Sequence, residues 1–337
     1  MTELVSTTPG LYPLPDRAKS DLSDLKGHQK HDLISGDEGA EIREVYADVR
    51  SELIADQLEA GLDLIVEGQA RWDDMLAHPL TVHQNVETRG IVRYYDNNNF
   101  YREPVVQGAL EESGDVAAEL VSASEILAEE GVDAGERLQA VLPGPYTLSE
   151  LATDEHYGDD AEFLSAIAEF LADEVAAFPD HAALFLLEPS LVSKPPAKGE
   201  LASEAIDAVA RATDANVVVH TYWGALEEKT HAHLLDASID AVGYDFVTEP
   251  EANADLLAEY GTADSIALGL LDGQNTLVEE PEAIHRRVEW VLDRLPGLDF
   301  ETIYATPNTE LFYLPVNRYR EKLGAVGEAV SLREVSA

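Results

Sequence analysis

The chain has 337 residues, 45% of them hydrophobic, and carries 66 acidic against 22 basic side chains, a net charge of -44. Such a field excludes nucleic acid and anionic membrane as partners, and no window approaches the roughly 18 consecutive apolar residues of a membrane helix. The absence of cysteine removes disulfides, thiol nucleophiles and thiolate metal sites together.

The acids run along periodic segments such as Glu119 to Glu136 and Asp154 to Asp173, and only seven of the cations are lysine. In dilute buffer this density repels itself, whereas molar salt shortens the screening length to about 3 Å. A halophile's surface is the expectation. The start, Met1 to Val5, has neither a basic segment nor an apolar core of the secretory kind, which predicts a cytoplasmic protein.

Taken in chain order, eight short apolar runs read as strands: Leu4-Val5-Ser6-Thr7, Leu62 to Val66, Leu138 to Leu142, Leu184 to Leu187, Val217 to Val219, Ala241 to Tyr244, Ile266 to Leu270 and Thr302 to Tyr304. Continuous runs of this kind suit parallel strands buried on both faces. Between them lie helical patterns. Ile42, Val45, Tyr46, Val49, Leu53 and Leu58 share one face and are followed by Gly61 at a helix stop. Asp159 or Asp160 caps a second pattern, with Phe163, Ile167, Phe170 and Leu171 inward and Pro179 as its stop. Residues 70–110 break the alternation, and the aromatic flanks of Tyr94-Tyr95-Asp96-Asn97-Asn98-Asn99-Phe100-Tyr101 predict an inserted β-hairpin. The expected fold is α/β, a single (β/α)8 TIM barrel over 1–337 with a hairpin insertion after the second strand. A doubly wound sheet would carry a glycine-rich loop after its first strand, where Gly10 stands alone.

Barrel active sites lie at the C-terminal strand ends. Those ends supply Glu67 and Gln69, Pro143 to Tyr146, Glu188-Pro189, His220 to Trp223, Asp245, Asp272 to Asn275 and Thr306 to Asn308. Any one of these is an ordinary turn former; the convergence of the set points to a site. The acid–base candidates are Glu188, His220, Asp245 and Asp272. A zinc site would need His220 with carboxylates, since His231 and His233 fall on different helix faces and His28 and His31 lie in a loop-like segment. A hydrogen-bonded strand-end histidine is the expectation there. No Gly-x-Ser-x-Gly turn is present.

These strings, from the first strand to about residue 320, resemble the cobalamin-independent methionine synthases. Thr8-Pro9-Gly10-Leu11-Tyr12-Pro13 is similar to the family's opening loop, Leu142-Pro143-Gly144-Pro145-Tyr146-Thr147-Leu148 to its proline–glycine–proline turn, and Leu187-Glu188-Pro189-Ser190-Leu191 to its acidic-proline strand end. The family pairs two barrels: one holds zinc through His, Cys, Glu and Cys and activates homocysteine, and the N-terminal one is zinc-free and helps bind polyglutamylated methylfolate. The present chain resembles the zinc-free half. His220-Thr221-Tyr222-Trp223-Gly224 stands where the zinc barrel has His-x-Cys, and Asp272-Gly273-Gln274-Asn275 where it has Asp-x-His. Gly68-Gln69-Ala70-Arg71-Trp72-Asp73 and Leu311-Phe312-Tyr313-Leu314-Pro315-Val316 also fit the zinc-free pattern. Leu187 and Gln69 replace the homocysteine-binding acids.

The resemblance implies a chain without zinc or a tightly bound cofactor, using methylfolate as co-substrate and acting with a separately encoded zinc-bearing barrel. Trp72, Tyr146, Tyr222 and Trp223 would offer aromatic faces to a pterin, and Asp96, Asn98, Asn275 and Asn308 polar contacts. Arg71, Arg93 and Arg102 at the mouth, and Arg17, Lys19, Lys26 and Lys30 in the first loop, would meet the glutamate tail. Two alternatives stay open: a self-sufficient enzyme acting on another one-carbon or thiol substrate, and a non-catalytic scaffold for the zinc barrel.

Overall fold

The computed structural model describes residues 2–25, 38–72, 74–95 and 99–332. In chain order the strands are β1 (Glu3–Ser6), β2 (Ile65–Val66), β3 (Val86–Arg93), β4 (Phe100–Val106), β5 (Leu138–Pro143), β6 (Thr153–Asp154), β7 (Ala183–Leu187), β8 (Asn216–His220), β9 (Ala241–Asp245), β10 (Ser265–Leu271) and β11 (Thr302–Pro307). Eight of them form one parallel sheet, ordered β1-β11-β10-β9-β8-β7-β5-β2. Each apolar run read from the sequence contributes a strand to it. The second run is the exception in length: only Ile65 and Val66 pair, because Asp63 is used otherwise.

Asp63 joins the two end strands of the sheet. Its carboxylate accepts from the Ser6 amide (2.8 Å) and hydroxyl (2.7 Å), while the Asp63 and Leu64 amides donate to the Ser6 carbonyl at 3.2 Å. The sheet is thus a curled parallel one, consistent with a TIM-like barrel. Its strands are buried along almost their whole length, β5, β7, β9 and β10 at every residue. That burial on both faces is why they read as unbroken apolar runs.

Helices pack outside. The helix Ala40–Glu59 buries Tyr46, Val49, Leu53 and Ile54, and Gly61 follows it at φ +73°, the left-handed turn that glycine permits. Helix Asp160–Ala176 is capped by Asp159, whose side chain accepts from the Ala161 and Glu162 amides, and it buries Phe163, Ile167, Phe170 and Leu171. Among the described residues no helix is long and apolar enough to cross a membrane.

Between β2 and β5 the expected hairpin is present: β3 and β4 pair antiparallel, Val86 opposite Val106 and Arg93 opposite Phe100, and β6 joins β4 to complete a small mixed sheet. Its turn residues Asp96 and Asn98 lie outside the described residues, as do Lys26, His28, Lys30 and His31. One expectation changes. Arg17 and Lys19 sit on a helix, Asp16–Leu25, rather than a loop. Pro15 precedes it, the Lys19 amide bonds back to the Pro15 carbonyl, and Asp16 meets the helix's positive end.

Candidate functional site

The C-terminal ends of β8 to β11 converge on a hydrogen-bonded frame. Asp245, fully buried at the end of β9, accepts through Oδ1 from the Val247 and Thr248 amides and the Asn308 amide group. Its Oδ2 accepts from the Trp223 amide, the Thr248 hydroxyl and Asn308. Asn308 is the hub of this frame. Its Oδ1 takes the Gly273 amide (3.0 Å), and its carbonyl takes the Nε2–H of His220 (2.9 Å). That bond fixes the tautomer of the fully buried His220 and leaves Nδ1 as an acceptor; burial lowers the histidine's pKa, and the bond to the Asn308 carbonyl only partly offsets it. Gly243 on β9 is required by the ring: a Cβ there would stand 2.2 Å from Nδ1.

The frame fits a structural role better than a zinc site. His220 has committed Nε2, Asp245 is saturated by N–H and O–H donors, and the chain supplies no thiolate. Among the described residues no group of three or more His, Asp or Glu side chains is arranged to hold a metal ion. The donor set does not match the family's zinc centre.

Beside the frame lies a cavity of about 440 Å³, walled by Trp223, Asp272, Gln274, Asn275, Asn308 and Thr309 with Val247, Thr248 and Thr276. Trp223 is the unusual wall. Its backbone is left-handed (φ +69°), held by the bond from its amide to Asp245, and its buried indole N–H has no acceptor. A non-glycine residue held there is strained, and such strain concentrates at functional sites. Asp272 holds the Gln274 and Asn275 amides with Oδ1, while Asn275 is exposed and caps the Leu277 amide. The cavity therefore gathers Trp223, Asp272, Asn275 and Asn308 from the sequence-derived candidates.

The other candidates lie elsewhere. Glu188 is fully buried and spends both oxygens on the Tyr146 (2.9 Å) and Thr147 (2.7 Å) amides, anchoring helix Pro145–Leu151. Burial pushes its carboxyl up to about 7 although those bonds favour the charged form. Tyr146 is buried, with its hydroxyl on the Lys194 carbonyl. Trp72 stacks on His78, ring centres 5.0 Å apart and planes at 13°, and is 4% exposed.

Arg71 is buried in an ion cluster. It bonds Glu38 (2.8 Å) and Asp115 (2.9 Å) and reaches Glu119 (3.3 Å), while Arg50 joins Glu119 to Glu67. Burial opposes charge on Asp115, yet His78 and Arg71 hold its pKa down at about 2. Arg17 pairs with Glu52 (2.9 Å) and Lys19 with Asp16 (3.3 Å) on the surface.

Sequence reasoning passed over two buried acids at the mouth, Asp74 and Glu310, and the tyrosines around them. Asp74 Oδ1 accepts from the Leu76 and Ala77 amides and the Tyr94 hydroxyl (3.0 Å), and its Oδ2 has no partner. Glu310 is fully buried and neither oxygen has a hydrogen bond of ordinary geometry, although the Tyr222 hydroxyl is near enough to favour its charge. Glu310 stands two residues beyond the strand-end string Thr306 to Asn308 and Asp74 one residue beyond Gly68 to Asp73, and those positions are the only signal the sequence offers.

The chain matches, over residues 81–295, the family profile described as cobalamin-independent synthase, N-terminal domain. It is similar to the methionine synthase of Saccharolobus solfataricus, 21% identical over 333 residues, which span 98% of this chain and 94% of the relative. The methionine synthase of Sulfurisphaera tokodaii is 22% identical over 313 residues, 93% of this chain and 87% of the relative. Among solved structures, a B12-independent methionine synthase from Shewanella, in complex with selenomethionine, superposes with a TM-score of 0.72 at 16% identity, covering 98% of this chain and 97% of that one. A putative vitamin-B12 independent methionine synthase from Listeria monocytogenes gives 0.72 at 19%, covering 99% and 98%. At those identities the structural likeness speaks to the fold; the profile, matching well over half the sequence, settles the kinship: the chain belongs to the cobalamin-independent methionine synthase family, on the side of its N-terminal domain.

Proposed function

We propose that this chain is the zinc-free component of a two-chain methionine synthase, a closed (β/α)8 barrel that binds methylfolate at the Trp223 cavity and acts beside a separate zinc-bearing barrel. The observation that carries the reading is the frame of His220, Asp245 and Asn308. His220, which stands where the zinc barrel has its histidine, is bound to the Asn308 carbonyl, and Asn308 to Asp245, beside a cavity large enough for a heteroaromatic ring. Trp223 supplies an aromatic face and an unspent N–H, and Asp272, Asn275 and Asn308 supply polar edges. No cation lines the cavity among the described residues, so the head of the folate belongs there and its anionic tail outside. The surface pairs of Arg17 and Lys19 are exposed and weak, hence open to exchange for a glutamate tail. The charge of -44 suits a cytoplasm of high salt, and the assays below are set there.

A second reading has its own support. The Saccharolobus relative carries the name methionine synthase at a length that this chain covers almost entirely. On that reading a lone barrel is the whole enzyme, with its acid–base groups among Glu188, His220, Asp245 and Asp272. Calorimetric titration of methylfolate into this chain in molar potassium chloride, with methionine assayed after homocysteine is added, separates the two from a scaffold role. Saturable binding without methyl transfer supports the component, binding with turnover supports the self-sufficient enzyme, and the absence of binding removes both.

A further inference from the structure

Under the hairpin, apart from the His220 frame, two carboxylates are buried with oxygens that lack a hydrogen bond of ordinary geometry. Glu310 is 0% exposed with both oxygens unpartnered, and Asp74 is 4% exposed with Oδ2 unpartnered. Each acid acts on the same surroundings. Tyr94 donates to Asp74, and its ring lies 4.5 Å from Tyr101 and 6.0 Å from Trp223. Trp223 lies 4.9 Å from Tyr222, whose hydroxyl points at Met75 (3.9 Å), next to Asp74, and interacts with Glu310. The two acids and four rings therefore enclose one small region. Arg102 and His78 place positive charge near Asp74, but among the described residues no cation acts on Glu310.

Burying an ionised carboxylate without a donor is unfavourable, and a second one nearby adds repulsion. Once ionised, those oxygens require a partner that brings positive charge, and the ring faces around them attract the same charge. The region is too poor in histidine and carboxylate for a divalent transition metal, in keeping with the absence of a three-ligand group among the described residues. We propose that Asp74 and Glu310, walled by Tyr94, Tyr101, Tyr222 and Trp223, bind a monovalent cation, either an alkali ion or the protonated amine of a ligand. The site shares the Trp223 wall with the cavity proposed for methylfolate, but its test needs neither methylfolate nor a partner barrel.

Thallous ion, a potassium-sized quencher of indole fluorescence, is titrated as its acetate into the whole chain at fixed ionic strength made up with tetramethylammonium acetate. Saturable quenching that potassium or methylammonium reverses is the expected result. Reversal by potassium alone identifies an alkali ion, and reversal by methylammonium an amine. Quenching that rises linearly and resists both competitors overturns the proposal. Thermal unfolding gives the second readout. Replacing tetramethylammonium by potassium or methylammonium should raise the midpoint by about 3 °C, and Glu310→Gln should abolish that difference. A variant that keeps the full difference, while gaining stability equally in every salt, would show Glu310 to be a packed acid and nothing more.

Discussion

Arg71 offers the sharpest contrast between what a mouth arginine would do and what this one does. In the structure the residue is 6% exposed and its guanidinium is bonded to Glu38 and Asp115, with Glu119 at 3.3 Å. Arg71→Ala would leave three acids facing one another in space that water barely reaches. Removing one partner of a buried ion pair costs about 3–5 kcal/mol, mostly as the penalty on the charges left behind. Arg71→Lys keeps a charge but loses the fork that meets two carboxylates at once, and should cost about 1–2 kcal/mol. Urea unfolding in molar potassium chloride is the assay, since salt screens exposed charges and spares buried pairs. The midpoint should fall in both variants while the slope stays constant. An Arg71→Ala protein within about 0.5 kcal/mol of the parent, yet roughly tenfold weaker for methylfolate, would refute the reasoning and make Arg71 a ligand residue.

Three further outcomes follow from the site. Trp223→Ala should weaken methylfolate about tenfold, the worth of one stacked ring, whereas Trp72→Phe, which keeps a ring against His78, should leave the affinity intact; titration by calorimetry decides. Glu310 in the folded chain holds its proton to a pH of about 7 instead of the usual 4.5. The folded state then binds more protons than the unfolded one between those values, so stability falls as pH rises through the window. The fall attributable to Glu310 is of order 3 kcal/mol. It should be missing from urea midpoints of Glu310→Gln measured in tetramethylammonium chloride, and parallel profiles would speak against it. Alanine at Arg17 and Lys19 together should lower the affinity for polyglutamylated methylfolate more than for the monoglutamate; equal affinities would remove that helix from the tail site.

The strands of the parallel sheet were legible because burial on both faces leaves no room for polar alternation, as Ala183 to Leu187 illustrates. The hairpin announced itself through tyrosines flanking a polar turn. The helix Asp16–Leu25 did not: of its described side chains only Ala18 and Leu22 are buried, too thin a stripe to recognise. Strand ends located the cavity, and Trp223, Asp272 and Asn308 all stand on it. What they could not give is side-chain direction. Glu188 and Asp245 occupy strand ends and look like acid–base groups, yet both are consumed by backbone amides. Arg71 reads as a mouth cation and turns inward. Asp74 and Glu310 are hidden for a compositional reason: among 66 acids, none looks buried until the fold is known.

The central claim is a division of labour between this chain and a zinc-bearing barrel. It is tested most directly by methionine formation from homocysteine and methylfolate in molar potassium chloride, with this chain alone, a zinc-type barrel from the same source alone, and the two mixed. The account predicts no activity from this chain and a mixture that exceeds the zinc barrel by itself. Turnover by this chain alone would contradict it, as would a mixture no faster than the zinc barrel.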